Sequence, residues 1–385
     1  MSNKISTSVT VIKDGAAEKL IAYLKAEWPD AIPFIICDVN TEKYAVKYFP
    51  AMLRYVYPDR QHATPEASLL AAPGIRENGV GMLIACGSGS IHDITRYLAS
   101  ELSLPLISFP TAASVDGFAS SMAAMTINGQ KLTVPSHAPC ALFAEPDVFC
   151  DAPEALTLSG IGDLVGKYIS LFDWKMGHLL TGEPYDPAIE QMERDALHSL
   201  FSLTYGTREF VIKLMEGLVI SGLAIQQFGN TRPASGSEHH LSHFWEMHCV
   251  NEPTDALHGE QVGVATIILL KKYRELTSLT ITKKPLNYAY LAPIYGNMTE
   301  GILRENLPFI PDTITQEIWD GAWDEIHHLA KTELPSPEWV ADFLRSKGGK
   351  TTLSDLSLPD TEEFLNTTLT YAPYVRNRLT MLKLL

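Results

Sequence analysis

Residues 232–246 read RPASGSEHHLSHFWE, and residues 257–260 read LHGE. On a helix, His239 and His243 lie at positions i and i+4 of one face, so both imidazoles can point into the same cavity. His258 follows a break that contains Pro253 and would reach that cavity from a second segment. Neutral imidazoles together with a carboxylate suit a divalent transition metal. Two interpretations stay open on spacing alone: a metal site that still lacks its carboxylate, or ordinary histidines on an amphipathic helix.

The N-terminal part of the chain contains continuous apolar runs that alternate with helical stretches. The runs cover residues 32–38, 81–86 and 104–109, and helices are predicted over 42–53 and 94–101. Strands that are apolar on both faces are typical of a parallel sheet covered by helices on both sides. Asn128-Gly129 predicts a hairpin, and a further apolar segment covers 140–144. We therefore predict an α/β domain over residues 1–150.

Polar turns follow these strands and are candidate nucleotide contacts. Residues 87–93, GSGSIHD, lead into a helix, whose N-terminus offers backbone N–H groups to a phosphate. They do not form the GxGxxG fingerprint, and an ordinary turn is the alternative. Asp38 ends the first strand, where a carboxylate can bind a ribose hydroxyl or shape a turn. Residues 110–121 form a loop rich in small and hydroxyl side chains, with Asp116 beside Gly117.

Helical patterns dominate from residue 153 onward. They cover 157–176, 187–203, 208–227, 258–273 and 315–329, and no strand pattern of similar strength accompanies them. We predict an all-α domain over residues 151–385, a helical bundle with Pro and Gly breaks. Three glycines within 160–166 weaken the first helix and permit the close approach of another backbone or of a ligand. Asp163 and Lys167 in the same helix can form a surface ion pair at i and i+4.

Composition limits the classes of partner. The chain has 385 residues, of which 46% are hydrophobic and 19% are charged, as expected for a folded protein of two domains. The net charge of −15 argues against nucleic acids and anionic membranes, and an anionic substrate would need a local cationic pocket. No apolar run reaches the roughly 18 residues of a membrane span, and the N-terminus lacks the apolar segment of a signal peptide. With five scattered cysteines and no CxxC pair, we expect a cytoplasmic protein with reduced thiols.

Several motifs together resemble the superfamily of iron-type alcohol dehydrogenases, glycerol dehydrogenases and dehydroquinate synthases. They are SEHHLSH at 237–243 with HGEQVG at 258–263, GSGSIHD at 87–93, and GIGDLVGK at 160–167. The two histidine motifs look most like those of glycerol-1-phosphate dehydrogenases. The resemblance covers the chain up to about residue 275 and implies an α/β nucleotide-binding domain followed by an all-α metal-binding domain. Ser88 is a departure, since the superfamily's GGGSxxD turn has its middle glycine there.

The resemblance also implies roles for individual residues. Asp163, His239 and His258 would bind one divalent metal, with His240 as the rival of His239. His243, Asp116 and Asp163 would be catalytic or contact the substrate. For a phosphate, Arg232 and Lys167 are the candidate cations near these motifs. The expected NAD(P)H contacts are Asp38, Gly87, Ser88, Gly89, Ser90, Ile91, Asp93, Thr111, Ser114 and Ser120.

The activity implied by the resemblance is the reversible, NAD(P)H-linked reduction of dihydroxyacetone phosphate to sn-glycerol-1-phosphate. Zn, Ni, Fe or Co would suit the ligands. Three alternatives stay open: a glycerol or polyol dehydrogenase without a phosphate anchor, a dehydroquinate synthase-like lyase, and a non-catalytic metal-binding protein. Members of this family form homodimers or larger assemblies. Together with the apolar run over 214–225, this leads us to expect at least a dimer.

Overall fold

The computed structural model describes residues 6–276 and 284–385. Residue contacts divide the chain into two compact units. Unit 1 comprises Met1–Ile127, Leu132–Gly160 and Met192–Thr231, and unit 2 comprises Asn128–Lys131, Ile161–Gln191 and Arg232–Leu385. This division differs from the boundary predicted at residue 150, because Met192–Thr231 belongs to unit 1. The assignment of cofactor binding to residues 1–150 and of metal binding to 151–385 stays a prediction.

Unit 1 is built around a parallel sheet. Its six strands are β1 (Val9–Ile12), β2 (Pro33–Asp38), β3 (Leu53–Tyr57), β4 (Met82–Gly87), β5 (Leu106–Pro110) and, after a two-stranded ribbon of β6 (Met122–Ile127) and β7 (Gln130–Pro135), β8 (Ala141–Ala144). The order across the sheet is β1-β8-β5-β4-β2-β3, and every pair of neighbours is parallel. The chain runs outward from β2 to β3 and then returns to place β4 on the other side of β2. Ligands of such sheets bind outside the carboxyl ends of the strands at this reversal.

Helices α1 to α6 lie in unit 1 between and after these strands, α8 lies in unit 2, and α7 and α9 each have residues in both units. They are α1 (Ala16–Glu27), α2 (Glu42–Tyr48), α3 (Pro65–Leu69), α4 (Ala72–Glu77), α5 (Gly89–Leu102), α6 (Pro146–Phe149), α7 (Glu154–Val165), α8 (Lys167–Thr181) and α9 (Pro187–His198). The core of unit 1 lies on both faces of its sheet. Ile35 and Ile84 pack with α1 and α2 on one face, and Ile36 and Leu83 pack with α3, α4 and α5 on the other. Each such side chain is fully buried and contributes about 1.5–3 kcal/mol to stability.

The later helices are α10 (Arg208–Phe228), which lies in unit 1, followed by those of unit 2. These are α11 (Ser237–Glu246), α12 (His258–Arg274), α13 (Tyr288–Tyr295), α14 (Thr299–Glu305), α15 (Gln316–Thr332), α16 (Pro337–Arg345), α17 (Glu362–Tyr371) and α18 (Met381–Leu384). Short 3-10 helices cover Asp116–Ala119, Gly296–Met298, Ile310–Thr313, Ser354–Leu356 and Ala372–Val375. Within 6–276 and 284–385, no helix is long and apolar enough to cross a membrane.

The predicted fold class is confirmed, with local corrections. The helix predicted over 42–53 ends at Tyr48, because Phe49 precedes Pro50 and leaves the helical region. Leu53 instead begins β3, which the sequence analysis missed together with β1. The single helix predicted over 157–176 is broken at Gly166 into α7 and α8.

Candidate metal centre and nucleotide-binding edge

Asp163, at the end of α7, His239 in α11 and His258 at the start of α12 come together in unit 2. One ligand atom from each lies within 4.8 Å of the others. Asp163 is completely buried, and its Oδ1 lies 3.5 Å from Nε2 of His239. The rings of His239 and His258 are 5.2 Å apart between centroids. A carboxylate and two imidazoles that converge in this way are a suitable set for one divalent transition metal.

Two glycines allow these ligands to approach. Gly162 precedes Asp163 in α7, and Gly259 follows His258 at the start of α12. A Cβ atom added to Gly162 would lie 2.0 Å from the carbonyl oxygen of Gly259. Any side chain at position 162 would therefore force the two backbones apart. Gly162 of the GIGDLVGK motif therefore serves this close backbone approach.

Each of the two histidines is oriented by a glutamate. Oε1 of Glu238 lies 2.7 Å from Nδ1 of His239 and also accepts the backbone N–H of Gly236 at 2.8 Å. Oε1 of Glu246 lies 2.8 Å from Nδ1 of His258. A histidine that donates its Nδ1 proton to a carboxylate presents the lone pair of Nε2, as metal-bound histidines commonly do. The donor set and its supporting carboxylates thus fit a divalent metal.

Lys167 lies beside the proposed ligands in the interior of the protein. Its Nζ is 3.9 Å from Oδ1 of Asp163 and donates to the carbonyl of Ala234 at 3.0 Å. The side chain is completely buried, so the pair with Asp163 is not the surface ion pair considered from the sequence. Burial alone would raise the pKa of Asp163, but nearby positive charge, that of Lys167 above all, outweighs it and holds that pKa below its ordinary value. Asp163 is therefore ionised, as a metal ligand must be.

His243 lies against the same cluster. Its ring stacks on that of His258 at 5.3 Å, and its Nδ1 lies 3.4 Å from Oε2 of Glu246. His243, Glu246 and His258 form a second group that could hold a metal. Burial lowers the pKa of His243 to about 3, so its ring is neutral. Since Nδ1 faces Glu246, Nε2 is the atom that a substrate can use.

His240 points elsewhere. It belongs to neither candidate group of metal ligands among the described residues. Its ring is completely buried, and its two nitrogens have no hydrogen-bond partner within the part of the chain that the structure describes. The geometry therefore favours His239 over its neighbour as the ligand from α11.

The carboxyl ends of β4 and β5 bring the predicted nucleotide contacts together in unit 1. Gly87 ends β4, and its carbonyl accepts the N–H of Thr111 at 3.0 Å. Ser88 precedes the first turn of α5, and its Oγ lies 2.7 Å from Oγ of Ser114. Gly89, Ser90 and Ile91 form the N-terminus of that helix, while Asp93 pairs with Arg96 at 2.8 Å. Ser120 lies further along the same loop, where its Oγ accepts the N–H of Met122 at 2.9 Å.

Asp38 stands at the carboxyl end of β2, the strand beside β4. Its Oδ1 accepts backbone N–H groups of Asn40 and Thr41, both at 2.9 Å. The carboxylate therefore shapes the turn that follows the strand. The position of Asp38 at the end of β2 is compatible with a contact from its carboxylate to a ribose.

Two expected substrate contacts have other observed partners. Asp116 lies in unit 1, and its Oδ2 accepts the hydroxyl of Ser221 at 3.1 Å. Arg232 is 3% exposed and binds Glu183 through Nε at 3.1 Å and Nη2 at 2.5 Å. Its Nη2 also donates to the carbonyl of Leu379 at 2.7 Å. The ion pair with Glu183 gives Arg232 an observed structural partner, and its contact with a phosphate stays a prediction.

The sequence analysis missed three groups around the metal ligands. Glu238 and Glu246 orient the histidines, and Lys131 binds Glu246 with Nζ 3.1 Å from Oε2. The spacing of Glu246, three residues after His243 on one helix, was the available signal. No sequence pattern indicated the contact of Lys131 with Glu246, because the two residues lie far apart in the sequence.

Comparisons with known proteins identify the family of the chain. Residues 11–153 match the family described as iron-containing alcohol dehydrogenase. A glycerol-1-phosphate dehydrogenase (NAD(P)+) of Bacillus velezensis is 33% identical, with 97% of this chain and 90% of that protein covered. Its namesake in Bacillus subtilis is 31% identical, with 99% and 91% covered. A solved sulfoacetaldehyde reductase from Bifidobacterium kashiwanohense shares the fold, with a TM-score of 0.62 at 16% identity and with 100% and 95% covered.

The near-complete coverage of these relatives extends the similarity beyond the region of the family match, through the helices that carry the metal-ligand candidates. This chain belongs to the glycerol-1-phosphate dehydrogenase family of the iron-containing alcohol dehydrogenases.

Proposed function

We propose that this protein catalyses the reversible, NAD(P)H-linked reduction of dihydroxyacetone phosphate to sn-glycerol-1-phosphate. The convergence of Asp163, His239 and His258 in unit 2 is the observation that carries the proposal. It supplies the ligand set that this chemistry needs, in a chain whose relatives are named for this reaction.

In this proposal Asp163, His239 and His258 hold one divalent metal, Zn, Ni or Fe. Such a metal polarises the substrate carbonyl as a Lewis acid when it is bound. Glu238 and Glu246 keep the two imidazoles in the tautomer and direction that ligation requires. Lys167 keeps Asp163 ionised.

NAD(P)H supplies the hydride, and the protein binds and orients it. We assign its pyrophosphate to the N-terminus of α5, where the residues are Gly87, Ser88, Gly89, Ser90, Ile91 and Asp93. Asp38 contacts the ribose, and Thr111, Ser114 and Ser120 line the nicotinamide side. The backbone N–H groups at the start of a helix and its dipole favour the negative charge of the pyrophosphate.

His243 exchanges the proton in this proposal. Nδ1 of its neutral ring faces Glu246, which leaves Nε2 to hold a substrate hydroxyl and to accept its proton in the oxidation direction. Asp163 in unit 2 is also our proposed substrate contact, and the substrate contact of Asp116 in unit 1 stays a prediction. We give Arg232 a structural role, because its guanidinium is bound to Glu183.

We keep the proposal of a cytoplasmic protein that is at least a dimer. The apolar run over 214–225 no longer supports the dimer, since Leu214, Leu218 and Ala224 are completely buried within the chain. A monomer mass in light scattering would contradict this part of the proposal.

Metal analysis and steady-state kinetics test the function. We expect NADH or NADPH oxidation with dihydroxyacetone phosphate and much lower efficiency with glycerol in the reverse direction. The variants Asp163→Asn, His239→Ala and His258→Ala should lose the metal and the activity, whereas His240→Ala should keep the metal. A preference for glycerol would favour a polyol dehydrogenase, and turnover without net NADH consumption would favour a lyase.

A further inference from the structure

A lysine, Lys131, contacts a carboxylate that in turn contacts one of the proposed metal ligands. Lys131 follows the hairpin turn at Asn128 and Gly129, whose φ angles are 51° and 81°. Its Nζ lies 3.1 Å from Oε2 of Glu246, and the other oxygen of Glu246 lies 2.8 Å from His258. The turn thus brings an ammonium group to the edge of the metal centre within unit 2.

Arg376 adds a second cation at the same place. Its guanidinium donates a hydrogen bond to the backbone carbonyl of Lys131. The side chain is 9% exposed and interacts electrostatically with both Glu246 and His243. Nζ of Lys383 donates a hydrogen bond to the backbone carbonyl of Arg376 at 2.6 Å.

The local charge is opposite to that of the whole chain. The net charge is −15, yet Lys131, Arg376 and Lys383 are gathered here, with the carboxylates of Glu246 and Glu305 acting on them. Burial lowers the pKa of Arg376 to about 10 and that of Lys383 to about 7, because it disfavours the charged forms. A bound dianion would stabilise these charged forms through charge-assisted hydrogen bonds, which are bidentate for arginine.

His240, which is not among the candidate metal ligands, is affected by the same cations. Its buried ring has no hydrogen-bond partner among the described residues, and the charges of Lys383, Arg378 and Arg376, together with His243, act on it. A buried polar group without a partner costs about 1–3 kcal/mol.

We infer that Lys131 and Arg376 bind the phosphate of the substrate. The inference rests on the proposed function, which places the carbonyl at the metal. Only a methylene and an ester oxygen separate the carbonyl carbon of dihydroxyacetone phosphate from its phosphorus. The anchor must therefore adjoin the metal centre. Lys131 does so, because its partner Glu246 also contacts His258. Arg232 is less suited, because its guanidinium already binds Glu183 and the carbonyls of Asp173 and Leu379.

The variants Lys131→Met and Arg376→Lys test the anchor, with Lys175→Met as the matched control. Lys175 also pairs with a glutamate, Glu333, at 2.8 Å, and its side chain is 26% exposed against 21% for Lys131. We expect each test variant to raise the Michaelis constant for dihydroxyacetone phosphate at least tenfold more than that for dihydroxyacetone, with the metal retained. The control should change neither constant.

Calorimetric titration with inorganic phosphate separates the anchor from the proposed function. We expect the unaltered protein to bind phosphate and Lys131→Met to bind it at least tenfold more weakly. That result without any reduction of dihydroxyacetone phosphate would support the anchor and refute the function. Turnover with unchanged constants in both variants would overturn the anchor. Equal losses on both substrates together with loss of metal would also overturn it, because Lys131 would then act by positioning Glu246.

Discussion

Replacing Gly162 by alanine should separate the metal ligands without unfolding the protein. The added Cβ would lie 2.0 Å from the carbonyl oxygen of Gly259, and real Cβ contacts are not shorter than 3.0 Å. The two backbones must therefore shift by at least about 1 Å at this point. Because Asp163 and His258 are the neighbouring residues, the shift reaches the ligands directly. Metal sites tolerate errors of about 0.2 Å in their ligand distances, so the displacement is several times too large.

The expected effect on stability is smaller. Overpacking costs about 1–3 kcal/mol, and replacing a helical glycine by alanine returns up to about 1 kcal/mol. We therefore expect a folded variant whose metal affinity falls at least tenfold, measured by elemental analysis after dialysis against a chelator of known affinity. Circular dichroism would check that the helices persist.

Gly321→Ala is the matched control. Gly321 also lies inside a helix of unit 2, α15, and a Cβ atom there would meet nothing within 4 Å. This variant should keep its metal and gain up to about 1 kcal/mol of stability. Full metal content and full activity in Gly162→Ala would refute the argument that the glycine contact sets the ligand geometry.

Three further changes address the cofactor and the pH dependence. Asp38→Ser should raise the ratio of kcat/KM for NADPH to that for NADH, because a carboxylate at the end of β2 repels a 2′-phosphate. An unchanged ratio would mean that Asp38 only stabilises the turn after β2. Gly89→Val should weaken NADH binding in a fluorescence titration and leave the metal content unchanged, since the new side chain at the start of α5 would crowd Val115. An unchanged affinity for NADH would mean that the pyrophosphate does not bind at this turn. Burial raises the pKa of Asp173 to about 6, so the folded protein binds more protons than the unfolded chain between about pH 4 and pH 6. The free energy of unfolding from urea curves should therefore fall by about 3 kcal/mol through this group as the pH rises across that window, and Asp173→Asn should remove that slope.

The strands of the central sheet could be predicted where they are buried on both faces. β2, β4 and β5 are continuous apolar runs, and Gly87 and Asp38 mark two of their ends. β1 and β3 were missed because they are edge strands, partly exposed and therefore mixed in composition. The break between α7 and α8 at Gly166 was missed because the apolar periodicity continues across it.

The site could be predicted only as far as its local motifs reach. Spacing placed His239 and His243 on one face, and the family motif added Asp163 and His258. The contacts that orient them depend on segments distant in sequence, as with Lys131 and Glu246. The partner of Arg232 could not be predicted for the same reason, since Glu183 lies in a distant part of the sequence.

The three proposed ligands come from α7, α11 and α12, of which α7 lies far from the other two in the sequence. A metal bound there would tie these helices together, and it would favour the folded form because the unfolded chain holds no such site. A ligand present at a thousand times its dissociation constant adds about 4 kcal/mol to the free energy of unfolding. In a cell short of metal, the protein would therefore unfold more often and be degraded faster. The supply of the metal would then set the abundance of the enzyme as well as its turnover.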